Sequence, residues 1–334
     1  MYMGSFSDIC GNDIIKEQFK KGIEEGAIHH AYMLTGDRGI GKKTMAEAFL
    51  LELFCENRDR DTGEACLNCP ECKKILSGNH PDVIYVTHDK EKTIGVDEIR
   101  EQLVETAGIR PFSSKYKVYV IPDAELLSVQ AQNALLKTLE EPPEYVVIIL
   151  LASDDKQLLD TIRSRVVVEK MKPLTDSMIR NYMEERLGAE GEKLEICTAF
   201  SRGNLGRAIE LYQSETFSDW YQRLMKIVRS IKTMDLVDIR IEISKLRAAC
   251  PDIMEALDLL ELWYRDVTMY MVTKDMNGLV FYGEAKALMS IASVSSYNGV
   301  QEIMNKIQVC RDRINANVNP ELSLELLFLT MKER

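Results

Sequence analysis

One stretch, residues 118–165, constrains the fold of this chain more than any other. It opens with a short apolar run at 118–121, continues through an amphipathic segment that stops at a double proline, and reaches a second apolar run at 146–151. Ser128 is a typical helix N-cap, and a double proline ends a helix. The stretch therefore predicts a βαβ unit whose helix packs on the sheet. The apolar positions expected to share the packed helix face are Val129, Leu135, Leu136 and Leu139.

The run at 146–151 is apolar throughout, which indicates a strand covered on both faces of a parallel sheet. Four further short apolar runs have the length of strands, and helical patterns separate them. We expect a five-stranded parallel sheet with helices on both faces, an α/β architecture whose ligands bind where the strands end. The five predicted strands are 31–35, 83–86, 118–121, 146–151 and 166–168.

The chain changes character after residue 173. Its 334 residues exceed one ordinary domain. Helical patterns occupy almost all of the remainder, and from residue 217 onward they carry no chemical motif. We divide the chain into parts at 1–170, 171–212 and 213–334. The predicted helices of the middle part are 175–187, 191–201 and 205–212.

A glycine-rich turn follows the first predicted strand and precedes a predicted helix at 45–54. Backbone N–H groups of such a turn cradle phosphates, and a lysine reaches the outer ones. The pattern requires Ser or Thr after the lysine to bind Mg²⁺, but Lys43 stands there and Thr44 comes one place late, about 100° around the helix. Two interpretations stay open: a loop that binds ATP or ADP, and a loop kept as a structural turn. The candidate residues are Gly36, Gly39, Gly41, Lys42, Lys43 and Thr44.

The end of the strand at 118–121 carries a second departure from the ATPase pattern. An Asp is required there to hold Mg²⁺, followed by an acidic residue that activates water. The chain has Pro122 and then Asp123. Pro122 and Lys43 thus replace the two residues that would bind Mg²⁺ in a P-loop ATPase. We therefore do not expect the chain to hydrolyse ATP by itself. The alternative for Asp123 and Glu125 is a pair of solvated caps.

Four cysteines cluster after the predicted helix at 45–54, in a Cys-x-x-Cys-x-x-Cys motif preceded by one more cysteine. Four thiolates close a tetrahedral zinc site, so we expect a structural metal; the sequence does not distinguish zinc from iron. The alternative is a set of unliganded reduced cysteines, and His80 and His88 are interpreted as bystanders. The expected ligands are Cys55, Cys66, Cys69 and Cys72.

The formal net charge of −11 argues against a protein whose whole surface binds nucleic acid. The N-terminus lacks the pattern of a signal peptide, and no apolar run approaches the roughly 20 residues that span a bilayer. We expect a cytoplasmic protein without membrane contact.

These motifs together resemble the bacterial clamp-loader family of AAA+ proteins, and within it most closely the delta-prime type of DNA polymerase III subunit. The resemblance covers about residues 6–212 and is weak beyond. The ATPase type of the family, gamma/tau, shares the cysteine motif and the Glu-Glu-Pro block, whereas the altered Mg²⁺ positions favour delta-prime. The matching segments are His30-Ala31-Tyr32, the four cysteines, Asn133-Ala-Leu-Leu-Lys-Thr-Leu-Glu-Glu-Pro142 and Thr161-Ile-Arg-Ser-Arg165, with Val166 in place of the family's cysteine.

The resemblance implies a fold and a set of roles. The fold would be an AAA+ core of the P-loop NTPase type with an inserted zinc knuckle at 55–72, a small helical lid and an all-α collar. Arg165 would be an arginine finger supplied in trans, and Ser164 would position it or contact the interface. Arg163 is near enough to stay an alternative. Arg207 would be a lid sensor for nucleotide or its relic.

The implied function is that of a non-catalytic subunit of the DNA polymerase III holoenzyme, which helps to load the sliding clamp on primer-template DNA. Its partners would be gamma/tau and delta subunits in a hetero-pentameric ring. One alternative is an active gamma/tau-type ATPase. A second alternative is a DNA-binding module that uses the zinc knuckle.

Overall fold

A computed structural model describes residues 4–59, 61–87 and 93–334, so His88 lies outside the described residues. Two compact units emerge. The first holds the described residues up to Met178 together with Asn204–Gly206, and the second holds Ile179–Gly203 and Arg207–Arg334. The division into core, lid and collar stays a prediction.

The first unit contains a five-stranded sheet in the order β2-β3-β4-β1-β5. Every pairing is parallel, as predicted. Each predicted run forms a strand, with ends that differ by at most two residues. The strands are β1 Ala31–Thr35, β2 Val83–Tyr85, β3 Lys117–Ile121, β4 Val146–Ala152 and β5 Val167–Lys170.

Helices cover both faces of the sheet, which confirms the α/β prediction. Successive residues of a strand point to opposite faces of the sheet, and in β3 both faces are apolar. Val118 and Val120 belong to one buried cluster, whereas Tyr119 and Ile121 belong to the other. All of β4 is buried, as expected for a strand with no polar face. The helices of the first unit are α1 Asp13–Glu24, α2 Lys42–Phe54, α3 Pro70–Leu76, α4 Val96–Ile99, α5 Glu105–Ala107, α6 Val129–Glu140 and α7 Asp160–Arg163; the π-helical segment Arg100–Val104 joins α4 to α5.

The central helix α6 begins where Ser128 accepts a hydrogen bond from the backbone N–H of Ala131. Leu135 and Leu139 face the core as predicted, but Val129 is 56% exposed. Val129 is six positions before Leu135, and at about 100° per residue this places Val129 about 120° from the buried face. The prediction for Val129 was therefore wrong, and Ala131 takes that place in the core.

The second unit is helical throughout its described residues and has a core of its own. Trp220 and Trp263 are among its largest fully buried side chains. In the part of the chain that the structure describes, every helix is too short or too polar to cross a membrane. From the predicted lid onward the helices are α8 Asp176–Leu187, α9 Gly191–Phe200, α10 Leu205–Gln213, α11 Glu215–Ser230, α12 Leu236–Ala249, α13 Ile253–Thr273, α14 Ala285–Val294, α15 Tyr297–Asn315 and α16 Pro320–Glu333.

Candidate functional site

The candidate site lies at the carboxyl edge of the sheet, where β1, β4 and β3 end side by side. Thr35 is paired with Ala152, and Ile121 is paired with Leu150. The residues that follow these strands are therefore neighbours in space. This register brings together the glycine-rich turn, Ser153 and the segment that begins at Pro122.

The turn after β1 has left-handed backbone angles at three glycines. Gly36, Gly39 and Gly41 have φ angles of 145°, 87° and 104°, a region that favours glycine. Gly41 caps α2, which begins at Lys42. The free N–H groups and the positive end of the helix dipole at this start suit an anionic ligand.

Lys42 lies inside the loop. Its Nζ donates to the carbonyl oxygens of Gly36 at 2.5 Å and Asp37 at 3.1 Å, and to Ser153 Oγ at 3.5 Å. Burial lowers the pKa of Lys42, although the nearby charges of Glu125 and other carboxylates oppose that shift. The ammonium group of Lys42 is held by neutral oxygen acceptors.

The start of α2, where a residue that binds Mg²⁺ is expected, has Lys43 and then Thr44. The Lys43 side chain is 68% exposed, its Nζ is 3.8 Å from a Glu47 oxygen, and it lies 5.9 Å from the ring centre of Tyr85. An ammonium group provides no oxygen ligand, and Mg²⁺ binds oxygen. Thr44 is half-buried, one position further along α2.

Beyond β3, Pro122 is half-buried and Asp123 is exposed in a left-handed backbone conformation with φ of 47°. Glu125 differs from a solvated cap in one respect. Its Oε2 atom is buried and has no hydrogen-bond partner among the described residues. The Glu125 charge also acts on Lys42, so this carboxylate belongs to the site rather than to the open surface.

Two residues that the sequence analysis did not single out contact the glycine-rich turn. Asn204 Nδ2 donates to the Arg38 carbonyl at 2.7 Å, and the Gly206 N–H donates to the Gly39 carbonyl at 3.2 Å. The Gly-Asn-x-Gly pattern at the start of α10 was the available signal, because asparagine and glycine favour such backbone contacts. Ser153 was also missed, although a polar residue directly after a buried strand marks a ligand-binding edge.

Arg165 lies just after α7, at the far end of the βαβ unit. Its Nη2 is 2.7 Å from a Glu140 oxygen, and its Nη1 donates to the Thr161 carbonyl at 2.9 Å and to Ser164 Oγ at 3.3 Å. Ser164 thus contacts the guanidinium, and its role toward Arg165 stays a prediction. The side chain of Arg165 is 36% exposed.

Arg163 makes a different set of contacts. Its guanidinium forms ion pairs with Asp160 of the same helix and with Asp155. Hydrogen bonds and charge attraction to these carboxylates raise the pKa of Arg163, and Asp160 has the largest effect.

The predicted sensor Arg207 lies at the point where the chain returns to the second unit. Its Nη2 donates to Glu255 Oε1 at 3.1 Å, and its guanidinium carbon lies 4.8 Å from the ring centre of Phe200. These partners belong to the second unit, whereas Gly206 contacts the loop. A role of Arg207 in sensing nucleotide stays a prediction.

The four clustered cysteines meet as predicted. One ligand atom from each lies within 4.8 Å of all the others. Zinc–sulfur bonds of about 2.3 Å give a tetrahedron with edges of about 3.8 Å, so the set fits zinc after small shifts. Successive backbone N–H groups of the motif donate to the preceding sulfur atoms, at 3.2 Å for Cys66 to Cys55 and 3.3 Å for Cys69 to Cys66.

The protonation of the cysteine cluster follows its surroundings. The backbone N–H groups of Asn68 and Cys69 lower the pKa of Cys66 to about 6, despite a smaller opposing effect of burial. Burial raises the pKa of Cys55 and of Cys72. His80 is buried against the Phe54 ring and pairs with Glu71 at 2.8 Å, outside the cluster. Metal binding itself stays a prediction.

Comparison with known proteins gives the following similarities. Residues 11–175 match the profile of a family described as "DNA polymerase III, delta subunit". The DNA polymerase III gamma subunit of Buchnera aphidicola subsp. Schizaphis graminum is 35% identical over 214 residues, which cover 63% of this chain and 58% of that protein. The tau subunit of Bacillus subtilis is 29% identical over 296 residues, which cover 82% and 52%. The tau subunit of Escherichia coli is 33% identical over 212 residues, which cover 62% and 32%.

Among solved structures, a gamma-subunit-related protein from Thermotoga maritima aligns over 95% of this chain and 98% of its own, with a TM-score of 0.44 and 21% identity. The three curated relatives are covered only to between 32% and 58% of their length. They are gamma and tau subunits, which favours the gamma/tau alternative over the delta-prime interpretation. The match to this family profile does not separate the two types.

Proposed function

Since this chain carries a DNA polymerase III delta-type domain of the clamp-loader AAA+ family, we propose that it is a subunit of a bacterial clamp loader and acts in DNA replication. Its partners would be other clamp-loader subunits, the sliding clamp and, through the complex, primer-template DNA. The observation that carries the proposal is the placement of Arg165, which two neighbouring segments hold at a half-exposed position.

In this proposal Arg165 acts on a neighbouring subunit. A guanidinium inserted beside a neighbour's γ-phosphate neutralises charge that develops in the transition state. This requires a side chain that is fixed yet reaches solvent. Arg165 meets both conditions, and Arg163 is engaged by two carboxylates of its own surroundings.

The chain's own nucleotide site is proposed to bind ATP in the manner of gamma/tau, the type that the curated relatives favour. Three glycines in left-handed conformations, the start of α2 and Lys42 support phosphate binding. Nucleotide binding is therefore the first expectation, although the sequence alone left it open. A gamma/tau-type subunit would also turn ATP over.

A second candidate is a delta-prime-type subunit that does not turn ATP over. Lys43 and Pro122 favour it, because neither residue supplies an oxygen ligand where Mg²⁺ is expected. Both candidates retain the same role for Arg165. They differ only in the chemistry of the chain's own site.

The proposed metal role is structural. Four cysteine thiolates would fill the coordination shell of Zn²⁺ and leave no position for substrate. The residues that would hold it are Cys55, Cys66, Cys69 and Cys72.

Measuring nucleotide binding and steady-state ATP hydrolysis by the purified chain distinguishes the two candidates. A fluorescent ATP analogue should bind to the wild type and bind at least about tenfold more weakly to Lys42→Ala, which removes the phosphate-contacting charge. Turnover that Lys42→Ala abolishes would support the gamma/tau type, and binding without turnover would support the delta-prime type. Absence of binding would overturn the proposed nucleotide site.

A further inference from the structure

Glu140, the last residue of α6, has a specific partner. Its carboxylate oxygen lies 2.7 Å from Arg165 Nη2, and the two side chains are 48% and 36% exposed. A negative charge at a helix C-terminus is opposed by the helix dipole. The position is therefore unfavourable for an acidic residue unless a cation compensates it, and Arg165 is that cation.

The Arg165 guanidinium is held from two sides. Thr161 and Ser164 accept from Nη1, and Glu140 pairs with Nη2. A guanidinium carries five N–H donors, so these three contacts leave two donors for an acceptor outside the chain. Glu140 supplies the restraint from α6, whereas the other two come from α7 and the residue that follows it.

We infer that Glu140 is a positioning residue for Arg165: its carboxylate fixes the guanidinium before a neighbouring subunit's phosphate arrives. This inference rests on the proposed trans role of Arg165. Displacing a reactive group by about 1 Å can cost on the order of 10²-fold in rate, so loss of one of three restraints should be visible in turnover. An exposed ion pair contributes little to stability, so the melting temperature should hardly change.

The adjacent Glu141 provides a matched control, because it is an exposed glutamate next to the same helix end. The experiment uses the clamp loader reconstituted from this chain and its partner subunits. Every form of this chain carries Lys42→Ala, so that only the ATP sites of the partner subunits are measured. The forms compared are the otherwise wild-type chain, Glu140→Ala, Glu140→Gln, Glu141→Ala, Arg165→Ala and the double variant Glu140→Ala with Arg165→Ala.

We expect Glu140→Ala to lower kcat by about 5- to 50-fold and to leave KM for ATP within about twofold, because a group that acts only in the transition state changes kcat. Glu140→Gln, which keeps a hydrogen-bond acceptor, should recover part of the loss. Glu141→Ala should stay within about twofold of the parent. The double variant should be no slower than Arg165→Ala alone, since Glu140 would act only through that arginine.

Two failures can be told apart. If Arg165→Ala leaves turnover unchanged, the proposed trans role is lost and the role of Glu140 with it. Suppose instead that Arg165→Ala lowers ATP turnover. The positioning role of Glu140 alone is then overturned if Glu140→Ala turns ATP over as fast as Glu141→Ala or faster than the parent. It is also overturned if the double variant is slower than Arg165→Ala alone.

Discussion

Gly206 lies so close to Gly39 that a methyl group on its Cα would come within 2.4 Å of the Gly39 carbonyl oxygen. The Gly206 N–H donates to that same oxygen at 3.2 Å. A side chain at Gly206 therefore cannot be accommodated without moving the phosphate loop, because the contacting atom is backbone and not the end of a flexible side chain. This contact ties the start of α10 to the loop's conformation.

Replacing Gly206 by Ala should weaken nucleotide binding by about tenfold or more, because the displaced loop no longer presents its N–H groups together. Gly108→Ala is the matched control, since Gly108 has an ordinary φ angle and open space around it. Titration with a fluorescent ATP analogue gives the affinities, and amide hydrogen exchange of residues 36–41 reports the loop without ligand. Equal affinity and equal exchange in Gly206→Ala and wild type would show that the loop does not depend on this contact.

If the chain is of the delta-prime type, the combined change of Lys43→Thr and Pro122→Asp should raise ATP turnover of the purified chain by about tenfold or more. It restores an oxygen ligand and a carboxylate at the two positions where P-loop ATPases hold Mg²⁺. Lys43→Ala is the control, because it removes the lysine without adding a ligand. If the wild type already turns ATP over as fast as the restored variant, the two positions do not limit hydrolysis and the gamma/tau candidate gains.

Purified protein should contain about one zinc per chain, and Cys69→Ser should reduce that content to a small fraction, because a tetrahedral site needs four ligands. Elemental analysis measures the content, and limited proteolysis near residues 55–72 reports the loss of local structure. Cys10→Ser is the control, since Cys10 lies outside the cluster. Zinc retained by Cys69→Ser at the wild-type level would contradict the predicted ligand set.

Asp82 is 2% exposed and accepts backbone N–H bonds from Phe112, Ser113 and Ser114. Burial raises the pKa of Asp82, but these hydrogen bonds outweigh it and the net pKa is lowered. The carboxylate therefore stabilises the fold above its unfolded pKa of about 3.9, and that contribution is lost as the pH falls through the folded value.

Replacing Asp82 by Asn should lower the free energy of unfolding by about 1–3 kcal/mol at pH 7, and the difference from wild type should shrink as the pH falls below about 4. Urea unfolding at several pH values measures this, with the exposed Glu17→Gln as control. A difference that is constant between pH 7 and pH 3.5 would mean that the charge of Asp82 is not the stabilising feature.

Local sequence signals were sufficient for the sheet and for the cysteine cluster. The run at 146–151 has no polar face, so it could only be a strand covered on both sides. The Cys-x-x-Cys-x-x-Cys spacing folds three sulfur atoms together through its own backbone N–H bonds, and Cys55 joins from the end of α2. These features depend on neighbours in sequence.

Contacts between distant segments were not predicted. Asn204 and Arg38 are 166 positions apart, and no local period links them. The same holds for the pair of Glu140 and Arg165, because the position of one helix end against another depends on how the whole βαβ unit closes. Val129 was wrongly predicted to be buried for a simpler reason. The prediction followed its apolar side chain, whereas its angular position on α6 points it away from the core.

The choice between gamma/tau and delta-prime was also beyond the local signals. The sequence analysis relied on Lys43 and Pro122, whereas the curated relatives favour gamma/tau across a much longer stretch. Two residues can alter the chemistry of a site while the fold and its ancestry remain unchanged.

The central claim is that Arg165 completes the ATP site of a neighbouring subunit, whichever type this chain is. Its most direct test is the ATPase rate of the reconstituted clamp loader on primed DNA, compared between wild type, Arg165→Ala and the neighbouring Arg163→Ala after equal assembly has been verified. We predict a loss on the order of 10³ in turnover at the affected site for Arg165→Ala and little change for Arg163→Ala. A fully assembled Arg165→Ala loader that hydrolyses ATP at the wild-type rate would contradict the account.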